Sequence, residues 1–322
     1  MEVQRAKEVT RTRSARIHGY GGPEVVQVEE AALPNPQAGE VLIRISAAGV
    51  NPIDWKLRSG HVQKAMPLPM PSTLGGDFSG VVEAVGADVN NLKQGDEVYG
   101  QAGVLNGGTG TFAEFCVAKA GTIAPKPKAL DHLEAGALPL VGVSAVQTLT
   151  EHMKLQSGEK ILIHGGAGGI GSIAVQIAKK IGAHVVTTAA AEDIDYVKSL
   201  GADEVIDYKS RKFEDATSDL DGVFDTVGGD AYRRSFAVLK RGGRIVSMLE
   251  KPDEALMKEH GVEAISQFTK VNTEHLTKLT EFIEQGAVGV HIDKTFPLDQ
   301  AADALAFLEK ESPRGKVVIQ VV

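Results

Sequence analysis

The stretch His164-Gly165-Gly166-Ala167-Gly168-Gly169-Ile170-Gly171-Ser172 constrains this chain more than any other. It follows the apolar run Lys160-Ile161-Leu162-Ile163 and opens a helical pattern through Ile173, Ala174, Ile177, Ala178 and Ile181. Strand, glycine turn and helix in that order form the setting in which G-x-G-x-x-G reads as a dinucleotide fingerprint. Gly166 is expected to permit the tight turn. Gly168 leaves the backbone free to approach a pyrophosphate, and Gly171 lets the helix pack close to the strand. Free N–H groups at the helix start would face the phosphates. The alternative is a glycine-rich turn that binds nothing.

The pattern around this turn changes period once. Residues 14–125 read as short strands, such as Glu40–Ile45 and Gly80–Val85, separated by turns such as Gly21-Gly22-Pro23 and Pro34-Asn35-Pro36. That is the pattern of a barrel-like β domain. From about residue 130, helical stretches alternate with the apolar strands Ile161–His164, His184–Thr188, Glu204–Ile206, Gly222–Phe224 and Arg244–Met248. Such alternation predicts a doubly wound parallel sheet. The tail brings a helix over Glu274–Gln285, then strands His291–Phe296 and Lys316–Val321 with a helix over Asp299–Lys310 between them. Strands that follow a complete doubly wound unit are most simply returned to the first domain. The fold class is therefore α/β, with residues 1–128 and 272–322 in the β-barrel domain and 129–271 in the nucleotide-binding domain.

A net charge of −8 argues against a nucleic-acid or membrane-surface partner. No apolar run approaches the ~20 residues of a membrane span, and a cytoplasmic location is expected. Residues 1–16 depart from the acidic balance through Arg5, Lys7, Arg11, Arg13 and Arg16, and read as a mobile arm. The sole cysteine, Cys116, sits in an alternating strand pattern and reads as a buried structural thiol.

An acid closing the second strand would bind the adenosine ribose and favour NAD. Here that strand runs Val185-Val186-Thr187-Thr188-Ala189-Ala190-Ala191, and acids begin only at Glu192 and Asp193. The neutral tip at Thr188 leaves room for a 2′-phosphate. Tyr208, Lys209 and Arg211 could supply a hydroxyl and charge, which favours NADP(H), although Asp193 would repel a phosphate. The alternative is that Lys209 and Arg211 are solvated surface charges.

Further motifs carry a resemblance. They are Ala48-Gly49-Val50-Asn51-Pro52-Ile53-Asp54, Gly75-Gly76-Asp77-Phe78-Ser79-Gly80, Leu138-Pro139-Leu140-Val141-Gly142-Val143-Ser144, and Gly201-Ala202-Asp203-Glu204-Val205-Ile206-Asp207-Tyr208. With them the chain resembles the zinc-independent medium-chain dehydrogenases/reductases of the zeta-crystallin-like quinone oxidoreductase branch. The resemblance implies a GroES-like catalytic domain and a Rossmann domain with the cofactor between them. It places Asn51 and Asp54 near the nicotinamide, Ser144 against the cofactor, and Gly168, Gly169 and Ile170 on the pyrophosphate. It places Tyr208 beside the 2′-phosphate, and Ser247 and Met248 at a strand end near the nicotinamide ring. Val227 and Gly228 lie at another strand end, where cofactor-binding backbone is expected. Asn51 could equally cap loop backbone, and Asp54 could be a structural acceptor.

Zinc-dependent relatives carry a cysteine in place of Asn51 and Gly-His-Glu in place of Gly75-Gly76-Asp77, so no metal is expected. Without that Lewis acid, conjugated acceptors are the easier substrates. The activity implied is NADPH-dependent reduction of quinones or α,β-unsaturated carbonyls, with a homodimer as the family expectation. Asn51, a backbone N–H or water would stabilise an enolate, which solvent would then protonate. No general acid stands out, since Lys56, His61 and Tyr99 are candidates by type only. The alternatives are an enoyl-thioester reductase, or a nucleotide-binding protein with little turnover and an RNA-binding role.

Overall fold

The computed structural model describes residues 10–322. Arg5 and Lys7 of the expected arm lie outside them. Arg11, Arg13 and Arg16 do not form an arm: they sit in strand β1 (Arg11–Ile17), which pairs antiparallel with β2 (Val26–Ala32). Burial explains the difference. Thr12, Ser14, Ala15 and Ile17 are buried, the alternation shifting phase between Ser14 and Ala15, while Arg11 and Arg16 pair across the strands with Glu30 and Glu29.

The first half continues through β3 (Glu40–Val50), α1 (Pro52–Arg58), β4 (Ser72–Thr73), β5 (Asp77–Val85), β6 (Glu97–Gln101), β7 (Phe115–Lys119) and β8 (Ile123–Pro125). Its core takes the inward residues of these strands, among them Val41, Ile43, Ile45, Phe78 and Cys116. Cys116 is buried and free, as expected.

The second half runs α2 (His132–Ala137), α3 (Pro139–Val146), β9 (Lys160–Ile163), α4 (Gly169–Ile181), β10 (His184–Ala189), α5 (Ile194–Ser199), β11 (Glu204–Asp207), β12 (Leu220–Asp225), α6 (Gly229–Ser235), β13 (Leu239–Ser247), α7 (Glu254–His260) and β14 (Glu263–Ser266). The strands form a six-stranded parallel sheet in the order β11-β10-β9-β12-β13-β14. Strand order reverses beside β9, so the glycine turn after Ile163 opens at the crevice where doubly wound sheets hold ligands. Ile173, Ala174, Ile177 and Ala178 bury one face of α4 in the core that also holds Ile161, Ile163 and Val185. Burial of each large side chain contributes about 1.5–3 kcal/mol.

The chain then forms α8 (Thr273–Glu284), β15 (Ile292–Pro297), α9 (Ala301–Lys310) and β16 (Lys316–Gln320). β16 pairs antiparallel with β3, and β15 adds parallel to β16, so both late strands join the first-half sheet. α9 packs Ala301, Ala304 and Leu305 against Ala15, Ile17 and Val50. α8 faces both halves. Its Leu276, Leu279 and Ile283 enter the core around α4, and the Tyr99 hydroxyl on β6 donates to Leu276 O at 2.7 Å. The lead into β16 crosses to the glycine turn, where Gly315 N–H donates to Ala167 O at 2.8 Å.

Candidate functional site

Each glycine of the turn meets a separate steric demand. The left-handed residue is Gly165, with φ +72°, and not Gly166 as the motif suggested. Gly166 is required by packing, because a Cβ there would lie 2.1 Å from Thr187 Oγ1. A Cβ on Gly171 would lie 2.1 Å from Gly165 O, so close approach of helix to turn depends on its absence. Gly168 is different. It caps α4 in an extended conformation, and a Cβ there would meet nothing nearer than Gly165 O at 3.4 Å. The space above Gly168 is open, which suits a pyrophosphate on the α4 N–H groups. Gly169 starts the helix, and Ile170 is half-buried against the core.

A cavity of about 580 Å³ opens beside this turn, with Gly168, Thr188, Tyr208, Lys209 and Val227 in its wall. Thr188 is buried, and its hydroxyl accepts Gly165 N–H at 3.0 Å, so it holds the turn in place. His164 is buried beneath the cavity with Nε2 2.9 Å from Ser235 Oγ, and burial pushes its pKa down to about 4. It is a neutral wall at physiological pH.

At the far end Tyr208 is 59% exposed. Lys209 Nζ pairs with Glu192 at 2.9 Å. Arg211 turns aside and donates to Asp215 O. The sequence left Asp193 as a bare charge, but Arg314 pairs with it at 2.7 Å and lies over the Tyr196 ring, 5.0 Å from its centroid. Sequence reasoning missed Arg314. Its only signal was a cation beside Gly315, just ahead of a late strand.

Ser247 lines neither cavity. It is fully buried, donates to Asp225 Oδ2 at 2.6 Å and accepts Leu249 N–H and Glu250 N–H. Asp225 Oδ1 in turn accepts Val227 N–H and Gly228 N–H. The pair fixes both loops that rim the cleft, leaving Val227 half-exposed and Gly228 at φ +72°. Ser144 is likewise buried, with its hydroxyl spent on Leu140 O and Thr269 Oγ1. Thr269, not Ser144, lines the second cavity.

That second cavity, also about 580 Å³, lies between the halves. Leu57, Met66, Leu68, Leu105, Met248 and Phe268 give it an apolar wall, and Gln101, Asn106 and Thr269 give it polar points. Asp54 forms part of its floor. Behind the floor runs a buried polar chain. Lys316 Nζ donates to Asn51 Oδ1 at 2.5 Å and to Val50 O. Asn51 Nδ2 donates to Asp77 Oδ2 at 2.9 Å, and Gln101 Nε2 donates to Asp77 Oδ1 at 2.8 Å. Asn51 N–H donates to Asp54 Oδ2 at 2.8 Å, so Asn51 does cap α1 with Asp54 as its reciprocal partner. Burial pushes the Asp54 carboxyl up to about 7, and the Asp77 charge adds to the rise. Burial also raises Asp77 and lowers the Lys316 ammonium.

Comparison with known proteins agrees with this architecture. Residues 37–128 match the family described as alcohol dehydrogenase GroES-like domain, and residues 200–319 match the one described as zinc-binding dehydrogenase. The chain is 38% identical over 315 residues to 2-methylene-furan-3-one reductase of Solanum lycopersicum, covering 94% of this chain and 77% of that protein. It is 36% identical to the chloroplastic NADPH-dependent alkenal/one oxidoreductase of Arabidopsis thaliana, covering 93% and 77%. The chain belongs to the medium-chain dehydrogenase/reductase family, quinone oxidoreductase type. The solved quinone oxidoreductase from Coxiella burnetii superposes with a TM-score of 0.89 at 34% identity, covering 97% of this chain and 100% of that one.

In this quinone oxidoreductase-type chain the donor set at Asn51, Gly76 and Asp77 does not suit zinc. Asn51 offers an amide already bonded at both ends, Gly76 offers nothing, and Asp77 is held by three N–H donors. Among the described residues, no three His, Cys, Asp or Glu side chains are grouped for a metal. A dinucleotide does suit the chain. The open face of Gly168 and the α4 N–H groups fit the pyrophosphate, and the rim with Tyr208 and Lys209, beside the Asp193–Arg314 pair, fits a phosphorylated ribose.

Proposed function

We propose that this protein is an NADPH-dependent oxidoreductase that reduces quinones or α,β-unsaturated carbonyls by hydride transfer without a metal. One observation carries the reading. The cavity beside Met248 has an apolar wall, no lysine or arginine among the described residues that line it, and polar points from amides, hydroxyls and one carboxyl. A flat, uncharged conjugated carbonyl fits such a space, and its own π system accepts the electron pair that a simple carbonyl would need a Lewis acid to draw. The names of the tomato and Arabidopsis relatives support this substrate class, and the latter supports the cofactor.

NADPH supplies a hydride when bound. Gly168 and the loops fixed by Asp225 and Ser247 would hold it. Lys209 and Arg314, paired here with Glu192 and Asp193, would offer their donors to the 2′-phosphate. Thr269, Gln101 and Asn106 are placed to orient the carbonyl. We further propose a cytoplasmic homodimer. The free edge of β14 supports the dimer, and the reduced, buried Cys116 suits that compartment. Light scattering and cell fractionation test these two points.

The activity is tested by following NADPH oxidation against a panel of quinones and enones. At least one class should accelerate oxidation well above the no-acceptor rate, with NADPH preferred to NADH. If NADPH binds and no acceptor accelerates its loss, the proposal fails.

A further inference from the structure

Reduction of an enone needs a proton as well as a hydride, and the cleft offers few sources. Tyr99 is spent on Leu276 O and Thr280 in the contact with α8. Cys116 lies in the barrel core, and His164 lies at the other cavity. Lys316 is tied to Val50 O and Asn51 Oδ1 beneath the floor. Among the described residues that line the cleft, Asp54 carries the one titratable side chain.

We infer that Asp54 is the proton donor that completes the reduction. The inference rests on the proposed enone and quinone activity.

Its setting is built for a neutral acid. Two carboxyls, Asp54 and Asp77, share a buried site with a single cation, Lys316. These are the charged groups that face Asp54, one from β5 and one from β16. One cation balances one carboxylate, so one of the two acids keeps its proton. Asp77 accepts three N–H donors, from Asn51 Nδ2, Gln101 Nε2 and Leu140 N. Among the described residues, Asp54 accepts one hydrogen bond, from Asn51 N–H at Oδ2. Hydrogen bonds to the ionised form decide which acid ionises, and they select Asp77. Asp54 keeps the proton and presents it to the cleft. Paired acids whose surroundings separate them in this way mark acid and base roles.

The step balances. Hydride arrival forms the C–H bond at the β-carbon, and the alkene electron pair moves into an enolate. The Asp54 O–H bond then breaks, its hydrogen forms the C–H bond at the α-carbon, and the carbonyl re-forms. The resulting carboxylate is reprotonated by water from the open cleft. For a quinone the same proton goes to an oxygen.

The test is Asp54→Asn, which keeps an oxygen for Asn51 N–H but has no acid proton. NADPH affinity by fluorescence and the melting temperature should stay near wild type. The kcat for an enone should fall about 10²–10⁴-fold, the usual share of a general acid. The wild-type kcat should decline above about pH 7, and the variant should lose that decline. In D₂O the wild type should place deuterium on one face of the α-carbon, a selectivity the variant loses. Without any substrate, the infrared carboxylic-acid band of the protein at pH 6 should weaken in the variant. A variant with wild-type enone turnover, or an unchanged band, overturns the assignment while the activity stands. If the wild type reduces neither enones nor quinones, the activity itself fails and the assignment with it. Should the variant not fold, wild-type deuteration without face selectivity overturns the assignment.

Discussion

Arg314 and Asp193 meet at 2.7 Å across 121 positions of sequence, and their pairing turns an acidic rim into a neutral one. Asp193 alone would oppose a 2′-phosphate. With Arg314 over it, the same edge holds a guanidinium with donors that suit a phosphate. Arg314→Ala removes the cation and bares the acid. Charge-assisted hydrogen bonds are worth about 1.5–3 kcal/mol, so NADPH affinity should fall roughly 10–100-fold. NADH affinity should change little, because its ribose carries no phosphate. Fluorescence titration with both nucleotides checks this, and equal losses would remove Arg314 from the phosphate site.

The glycine turn yields a paired prediction. Gly168→Ala places a methyl group in open space, with no protein atom nearer than 3.4 Å. The variant should fold with an unchanged melting temperature but bind NADPH at least about tenfold more weakly, since the methyl stands where the pyrophosphate approaches. Gly171→Ala instead drives a Cβ to 2.1 Å from a backbone oxygen. Backbone cannot swing aside as a side chain can, so overpacking should cost about 1–3 kcal/mol and lower the melting temperature. Calorimetry beside nucleotide titration separates the two effects. Weak binding together with a lowered melting temperature in Gly168→Ala would contradict the open-face reading.

Much of this was legible in advance, for reasons of local chemistry. Period changes announced the β-rich and parallel-sheet halves, and the glycine turn announced the crevice. Two kinds of fact were not local. Arg314 and Lys316 reach Asp193 and Asn51 only because β16 returns to pair with β3, and hydropathy patterns carry no record of that pairing. Side-chain direction was the other. Ser144 sits in a helix, where its hydroxyl turns back to Leu140 O four residues earlier. Ser247 points under the sheet end to Asp225, so a strand-end serine became a brace. Arg11, Arg13 and Arg16 misled through charge, although Thr12, Ser14 and Ala15 between them are all buried.

That brace can be tested. Ser247→Ala strips the donor from Asp225 Oδ2 and the acceptor from two backbone N–H groups, all in a buried setting. An unpaired buried polar group costs about 1–3 kcal/mol. The melting temperature should therefore drop by several degrees, and NADPH affinity should weaken as the loops at Val227 and Leu249 lose their anchor. Thermal melts with and without NADPH read both effects. A variant as stable as wild type would mean that the loops do not depend on Ser247.

Among the described residues Lys316 is the sole cation facing the two buried carboxyls, and Lys316→Met leaves them without it. Breaking a buried charge system from one side costs about 3–5 kcal/mol. The loss should depend on pH, and the sign follows from the direction of the shifts. Burial raises Asp54 and Asp77 above their unfolded values. Both carboxyls therefore hold their protons to higher pH when folded than when unfolded, and stability falls as pH rises toward the folded value, about 7 for Asp54. Removing Lys316 raises both carboxyls further, so the variant should lose more stability at pH 8 than at pH 5. Adding Asp77→Asn removes the charge that Lys316 balanced and should restore part of the loss at pH 8. Urea melts of the single and double variants at both pH values decide it. An equal loss at the two pH values would mean that Lys316 acts through packing rather than charge.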